Sequence, residues 1–167
     1  MITSCEAFEN FPPGLPGHAV WLSARMPGGL NALAQPLRWR TLRRLPFAFG
    51  WMSKRPIPHD LVDAWLQPLL TQRAIRRDLL KYLRTSARGD MIATAERLRT
   101  FDRPALVIWA AEDRVMPPQH GRRFAELLPH ARLVEIPDSY TLLPEDQPGR
   151  LAAQIRAFIA SKPVIAS

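Results

Sequence analysis

The stretch PALVIWAAEDRVMPP, Pro104–Pro118, decides the fold of this 167-residue chain. Its first part, Pro104–Ala111, is a continuous apolar run, which is typical of a parallel strand buried on both faces of a sheet. The acidic and proline-containing segment that follows, Glu112–Pro118, predicts a loop at the carboxyl end of that strand. We therefore expect a central buried strand that leads into a loop carrying Asp113.

The segments on either side extend this strand into a sheet. We predict a helix near Gln119–Leu128, a second strand with alternating polarity over Arg132–Pro137, a loop or turn over Leu142–Pro148 and a closing amphipathic helix over Gly149–Ala160. A short strand is predicted at Ile2–Cys5. The order strand, loop, helix, strand, loop, helix predicts the α/β class, with about three parallel strands and flanking helices.

The middle of the chain, residues 14–99, has a different texture. Prolines and glycines punctuate it, and it contains no β-rich run. Apolar spacing predicts helices over Asp60–Leu70, Arg73–Arg84 and Ile92–Leu98, with Asp60 as the N-cap of the first. We expect a helical subdomain here, called the helical region below.

Composition excludes several classes of protein. Apolar residues make up 47% of the chain and charged residues 23%, so intrinsic disorder is not expected. No uncharged stretch reaches the roughly 20 residues of a membrane-spanning helix. The single cysteine, Cys5, excludes an internal disulfide framework and a Cys-rich zinc site. The N-terminus, MITSCE, lacks the features of a secretory signal, so we expect a cytoplasmic protein. We also expect no metal and no cofactor.

Chemistry in a parallel sheet is expected beyond the carboxyl ends of its strands. This places three loops together, those after Cys5, Ala111 and Pro137. Asp113 in the second loop is suited to orienting a histidine, as the acid of a Ser-His-Asp triad does. Aspartate is equally favoured in turns and at helix N-caps, and position alone leaves these roles open.

A family resemblance joins these segments. The strings RPALVIWAAEDRVMPP, HGRRFAELLPHARLVEIPD and LLPEDQPGRLAAQIRAFI together resemble the C-terminal part of the α/β-hydrolase superfamily. The resemblance implies a partial α/β-hydrolase fold with an inserted helical cap, similar to haloalkane dehalogenases and epoxide hydrolases. It divides the chain into a remnant of the sixth strand and its loop (1–13), the cap (14–99), a C-terminal α/β segment of the core (100–161) and a tail (162–167).

The resemblance also implies roles for individual residues. Asp113 stands where the family carries the triad acid, and Glu6 in TSCEAF stands where some members carry that acid instead. Glu6 is otherwise a loop carboxylate. Tyr140 and Thr141 occupy the place of the family's Gly-His pair, so Thr141 replaces the catalytic histidine. Threonine accepts no proton near neutral pH, and tyrosine is a poor base there. Residues 1–167 also lack a G-x-S-x-G nucleophile elbow.

The segment Gln35–Arg55 mixes arginines with aromatic residues, in a chain whose net charge is +8. Such a pattern suits single-stranded nucleic acid or an anionic membrane. We favour a cap helix whose Leu37, Leu42, Leu45 and aromatic side chains line an apolar pocket, with the arginines in water. The expected substrate-binding residues are Trp51, Met116, Tyr140 and Thr141.

These features predict the C-terminal part of a hydrolase that acts on small apolar esters, halides or epoxides. Without a nucleophile segment or a triad histidine, residues 1–167 alone are expected to be inactive. The expected partner is a small apolar substrate or ligand, not nucleic acid or a membrane. Self-association through an exposed sheet edge is expected as well. The alternative is a non-catalytic ligand- or protein-binding module on a hydrolase-derived fold.

Overall fold

The sheet is the framework on which the candidate site is built. The structure, a computed structural model, describes residues 1–161, and the predicted tail at 162–167 lies outside the described residues. Strands β1 (Ile2–Thr3), β2 (Ala105–Ala110) and β3 (Ala131–Ile136) form a parallel sheet in the order β1-β2-β3. The predicted α/β class with three parallel strands is confirmed.

Helices make up the rest of the regular structure. In chain order they are α1 (Gly14–Ser23), α2 (Gly29–Ala34), two 3-10 helices (Gln35–Arg38 and Arg40–Arg44), α3 (His59–Thr71), α4 (Arg73–Thr85), α5 (Arg88–Arg97), a 3-10 turn (Leu98–Thr100), α6 (Pro118–Leu127), α7 (Leu143–Asp146) and α8 (Pro148–Ala160). The described residues between β1 and β2 contain no strand, as the sequence predicts. No helix within residues 1–161 combines the length and apolar character needed to cross a bilayer.

Strand β2 is buried on both faces. All six of its residues are buried, and alternate side chains enter two separate apolar clusters. Val107 and Trp109 pack with Phe124 of α6, whereas Ile108 packs with Ile155 of α8 on the opposite face. Each large apolar side chain buried in this way contributes about 1.5–3 kcal/mol, so the sandwich of helix, sheet and helix fixes the position of the loop after β2.

One local prediction is wrong, and the structure refines a second. Helix α3 begins at His59 with Pro58 as its N-cap, so Asp60 lies in the first turn and does not cap the helix through its side chain. A carboxylate there still interacts favourably with the helix dipole. The predicted loop Leu142–Pro148 contains the four-residue helix α7.

The segment Gln35–Arg55 is also not the predicted helix. It forms two short 3-10 helices and turns, because Pro36 and Pro46 interrupt α-helical hydrogen bonding. Arg43 is only 4% exposed and does not lie in water. Its guanidinium donates to the carbonyl oxygen of Leu37 at 2.7 Å and pairs with Asp63. This arginine therefore organises the segment from within.

A buried carboxylate joins the helical region to the turn after β3. Asp146 is 4% exposed, and its two oxygens accept hydrogen bonds at 2.9 Å from the Ser53 hydroxyl and from the backbone amides of Lys54, Arg55 and Tyr140. Burial alone raises the pKa of Asp146, but these donors outweigh that effect and hold it below its ordinary value. The ionised side chain is thus the form that the fold stabilises.

We predict that Asp146→Asn lowers the free energy of unfolding at pH 7 by about 2–3 kcal/mol, because one of its two acceptor oxygens becomes a donor facing donors. Since the pKa of Asp146 is lowered in the folded state, its stabilising effect is present above about pH 4 and is lost as pH falls through the folded-state pKa. Urea unfolding at pH 7 and pH 3 measures both effects. The exposed Asp90→Asn is the control, and equal stabilities of the two variants at pH 7 would refute the role of Asp146.

Candidate functional site

Asp113 occupies the loop beyond the carboxyl end of β2. Its Oδ1 atom accepts hydrogen bonds from the backbone amides of Val115 at 3.0 Å and Met116 at 2.8 Å, which is the geometry of an Asx-type turn. Helix α6 has Pro117 as its N-cap, so Asp113 does not cap that helix. The sequence pattern left a turn role, a capping role and a site role open, and the structure supports the turn role while leaving one oxygen unused.

That unused oxygen distinguishes Asp113 from an ordinary turn residue. The side chain is buried, and its Oδ2 atom has no hydrogen-bond partner. Burial raises the pKa of Asp113, although hydrogen bonds from Thr141, Met116 and Val115 and the nearby Ser4 hydroxyl oppose the rise. A buried carboxylate oxygen without a partner is costly, and perturbed carboxyl groups of this kind are concentrated at functional sites.

Thr141 completes the contact that the sheet topology predicts. Its hydroxyl donates to Asp113 Oδ1 at 2.6 Å, so the loops after β2 and β3 meet at the carboxyl edge of the sheet. The residue that the family resemblance assigns to the position of the triad histidine therefore touches the residue that it assigns to the position of the triad acid. A hydroxyl in this position donates one hydrogen bond and carries no positive charge at neutral pH.

Glu6 has a different partner. Its Oε2 atom accepts a hydrogen bond from the Tyr82 hydroxyl of α4 at 2.8 Å. Burial and this contact raise the pKa of Tyr82. Among residues 1–161, Glu6 forms no hydrogen bond with Asp113. The structure thus connects Glu6 to the helical region, and does not join it to the pair formed by Asp113 and Thr141.

Of the other three expected substrate-binding residues, Met116 and Tyr140 adjoin that pair, through the Met116 amide that donates to Asp113 and through the place of Tyr140 next to Thr141 in the chain. Met116 is buried in the core, and its carbonyl oxygen accepts from Trp109 Nε1 at 2.9 Å. Tyr140 is also buried, with the guanidinium of Arg114 4.9 Å from its ring centroid. Trp51 is half-buried and packs against the core cluster on the α6 side of the sheet.

No histidine in the described part of the chain hydrogen-bonds to Asp113. His130 lies at the amino end of the sheet, where its carbonyl oxygen accepts from the Ala105 amide at 2.9 Å, as expected from its place before β3. His120 stacks edge-on against Phe8 with ring centroids 5.4 Å apart, and burial lowers its pKa. Within residues 1–161, no histidine is therefore placed to accept a proton beside Asp113.

An apolar cavity of about 350 Å³ lies in the helical region. Part of its lining comes from Gln35–Arg55, as the sequence predicts, but Met52 rather than Trp51 lines it. The contribution of α1 and α2 was not predicted, since their apolar residues do not form a single stripe. The lining residues are Pro16, Val20, Ala32, Leu33, Pro36, Leu37, Leu42, Leu45, Phe47, Ala48, Phe49 and Met52.

The sequence also gave no indication of the role of Asp146, because the string LLPEDQP matches no motif with a known partner. The acid is recognised only when the fold brings residues 53–55 against the turn after β3. No group of three His, Cys, Asp or Glu side chains within residues 1–161 is placed to hold a metal ion.

A parallel sheet covered by helices on both faces, with a buried acid beyond its central strand, defines an α/β protein with its candidate site at the carboxyl edge of the sheet. A family model described as the alpha/beta hydrolase fold matches residues 28–148. The chain therefore belongs to the alpha/beta hydrolase fold family, and the family resemblance derived from the sequence is confirmed at that level.

Individual relatives support the same assignment. An uncharacterized hydrolase of Bacillus subtilis (strain 168), YugF, is 29% identical over 107 residues, which are 64% of this chain and 38% of YugF. The solved structure of MGS-M2, an alpha/beta hydrolase enzyme from a Medee basin deep-sea metagenome library, is 18% identical with a TM-score of 0.60, covering 99% of this chain and 57% of that one.

Two further solved structures share the fold. A variant of the meta-cleavage product hydrolase CumD is 15% identical with a TM-score of 0.62. The match covers 93% of this chain and 53% of the CumD chain. A thermophilic esterase from Thermogutta terrifontis is 20% identical with a TM-score of 0.54. The match covers 95% of this chain and 54% of the esterase. The chain thus spans about half the length of these structures, and the predicted partial α/β-hydrolase fold is confirmed.

We predict that Asp113→Asn raises the free energy of unfolding at pH 7 by about 1 kcal/mol, because it removes a buried charge and retains the Oδ1 acceptor. A raised pKa in the folded state means that Asp113 favours folding most at low pH and does so less as pH rises through that pKa. The advantage of the variant should therefore vanish near pH 3. Urea unfolding at both pH values tests this, with the exposed Asp102→Asn as the control, and a less stable Asp113→Asn at pH 7 would contradict it.

Proposed function

We propose that this chain supplies the cap and the triad acid of a hydrolase that acts on small apolar esters, halides or epoxides. The observation that carries the proposal is the buried Asp113 carboxylate, which follows the central strand and keeps its Oδ2 atom free beside the residue at the place of the triad histidine. A free, buried acceptor at this position suits a group that orients a charged base in the complete site.

In this proposal each site residue has a defined part. Asp113 is the acid, and Glu6 is the second candidate for that role. Trp51, Met116, Tyr140 and Thr141 contact the substrate, with Thr141 in the space of the histidine. Since Thr141 accepts no proton at neutral pH, and residues 1–167 hold no nucleophile elbow, the chain alone does not complete the reaction.

The lining of the cavity in the helical region includes neither Asp113 nor the four expected contact residues, and the cavity supports the proposal through the class of ligand that it fits. Its twelve lining residues carry no charged side chain, so a charged or strongly polar group would lose hydration there without gaining a partner. A volume of about 350 Å³ lies in the range of small-molecule sites. Small apolar acyl, alkyl or aryl groups fit both the volume and the lining.

The alternative function is a non-catalytic binding module on the same fold. The hydrogen bond from Thr141 to Asp113 favours it, because this bond satisfies one carboxylate oxygen without preparing a proton acceptor. In that case the apolar cavity binds a ligand that is not converted. The two functions predict different effects of a histidine at position 141: it would raise kcat in the hydrolase and leave kcat unchanged in the binding module.

Residues 1–167 should not hydrolyse p-nitrophenyl acetate or butyrate above the buffer rate, and a fluorophosphonate probe for activated serines should leave the chain unlabelled.

In a longer protein that includes a nucleophile segment, Thr141→His should raise kcat at least 100-fold, since loss of a triad histidine costs several orders of magnitude in rate. Thr141→Ser is the matched control. An unchanged kcat in Thr141→His would favour the binding module, and robust hydrolysis by residues 1–167 that disappears in Asp113→Ala would refute the incomplete site.

Small apolar esters such as ethyl hexanoate should bind residues 1–167 through the cavity. We expect Ala32→Trp to abolish this binding, because Ala32 is exposed at the cavity lining and the indole would fill the space without disturbing the core. Titration calorimetry or ligand-observed NMR measures the affinity. Ala153→Trp, at an exposed position of α8, is the control and should bind normally. Equal binding by both variants would exclude the cavity as the ester site.

A further inference from the structure

A second groove lies between α4 and residues 26–31, which form the loop before α2 and the first turn of that helix. Its volume is about 840 Å³, and it includes neither Asp113 nor any residue of the apolar cavity. The lining is strongly basic, with five cationic side chains and no carboxylate. The cationic residues are Arg73, Arg76, Arg77, Lys81 and Arg84.

These cations follow one face of α4. The steps between them are three, one, four and three residues, so they repeat with the helical period and form a single stripe. At about 1.5 Å rise per residue, the stripe from Arg73 to Arg84 extends over roughly 16 Å. Closely spaced like charges on one helix face repel each other, and this arrangement therefore costs stability unless an anion relieves it.

The carboxylates of the described residues leave most of this charge unneutralised. Within residues 1–161, Arg77 pairs with Asp78 at 3.0 Å, and both side chains are largely exposed. Arg73, Arg76, Lys81 and Arg84 form no ion pair there. The groove thus carries a local excess of positive charge that the fold does not use for ion pairing.

Two of the arginines are held in place by the backbone. Arg76 Nη1 donates to the carbonyl oxygens of Leu69 at 2.8 Å and Leu70 at 3.0 Å. Arg84 Nε donates to the carbonyl oxygen of Ala24 at 3.0 Å. A guanidinium has five N–H donors, so both retain donors for a ligand, and their fixed position lowers the entropy that binding would cost.

The groove also has apolar walls. Three apolar side chains line it: Leu30 is buried, Leu80 is half-buried, and Met26 is 57% exposed. A purely ionic ligand would leave this apolar surface in water. A ligand with an anionic head and an apolar tail would cover both kinds of surface.

We propose that this groove binds an anionic amphiphile as a free monomer, with a phosphate or carboxylate head on the α4 arginines and an apolar chain against Met26, Leu30 and Leu80. Arg76 and Arg84 anchor the head through their remaining N–H groups, and Arg73, Arg77 and Lys81 supply long-range attraction. The site is separate from Asp113 and does not depend on the hydrolase function proposed above.

Titration calorimetry on residues 1–167 with three probes tests this proposal: octyl phosphate below its micelle concentration, inorganic phosphate and octanol. Octyl phosphate should bind at least tenfold more tightly than either of the other two. Its affinity should fall as salt rises, because exposed charges are screened. A fourth probe, vesicles containing phosphatidic acid, distinguishes a membrane surface from a monomer site.

Paired variants locate the site. Arg77→Gln with Lys81→Gln should weaken octyl phosphate binding about fivefold to tenfold, because two of the positive charges that attract the head group are lost. Arg150→Gln with Arg156→Gln removes the same charge from exposed positions of α8 and should change the affinity less than twofold. Met26→Gln, at an exposed position, should lower the affinity for octyl phosphate and leave the affinity for inorganic phosphate unchanged.

Three results would overturn the proposal. The first is equal weakening by the α4 and α8 pairs, which would indicate nonspecific attraction by the net charge. The second is equal affinity for octyl phosphate and inorganic phosphate, which would exclude the apolar walls as part of the site. The third is binding to vesicles without binding to monomeric octyl phosphate, which would make the groove a membrane-facing surface.

Discussion

The arrangement of the site depends on the hydrogen bonds that the buried Asp146 carboxylate accepts. The carboxylate accepts hydrogen bonds from residues 53–55, at the end of the segment Gln35–Arg55, and from Tyr140 in the turn after β3. The amide of Leu142 also donates to the carbonyl oxygen of Met52 at 2.7 Å. Because these bonds hold two distant parts of the chain together, they position Thr141 as well as the helical region.

The contact between Thr141 and Asp113 follows from this arrangement and from the sheet. Parallel strands β2 and β3 end at the same edge, so the loops that leave them are neighbours. Their fine position comes from Asp146 on one side and from the Asx-type turn of Asp113 on the other. The buried Asp146 carboxylate and the carboxyl edge of the sheet together supply the rigidity that a preorganised site requires.

The sheet and the position of Asp113 were predictable from the sequence because the evidence for them is local. The run over Pro104–Ala111 and the alternation over Arg132–Pro137 indicate strands, and chain order places their loops. The role of Arg43 was not predictable, since an arginine looks exposed until the fold supplies carbonyl oxygens and a carboxylate around it. Asp146 was missed for the same reason: its four donors come from residues that are up to 93 positions away.

The free Oδ2 atom of Asp113 bears on why this residue is an aspartate at all. The turn needs only one acceptor oxygen, which the side chain of asparagine would also provide. The second oxygen adds a buried charge, and burial raises the pKa of the group, so ionisation works against folding at neutral pH. Fold stability alone therefore does not account for a carboxylate here. A carboxylate accepts stronger hydrogen bonds than an asparagine amide, and it can also hold a positively charged partner, which is the property that a triad acid needs.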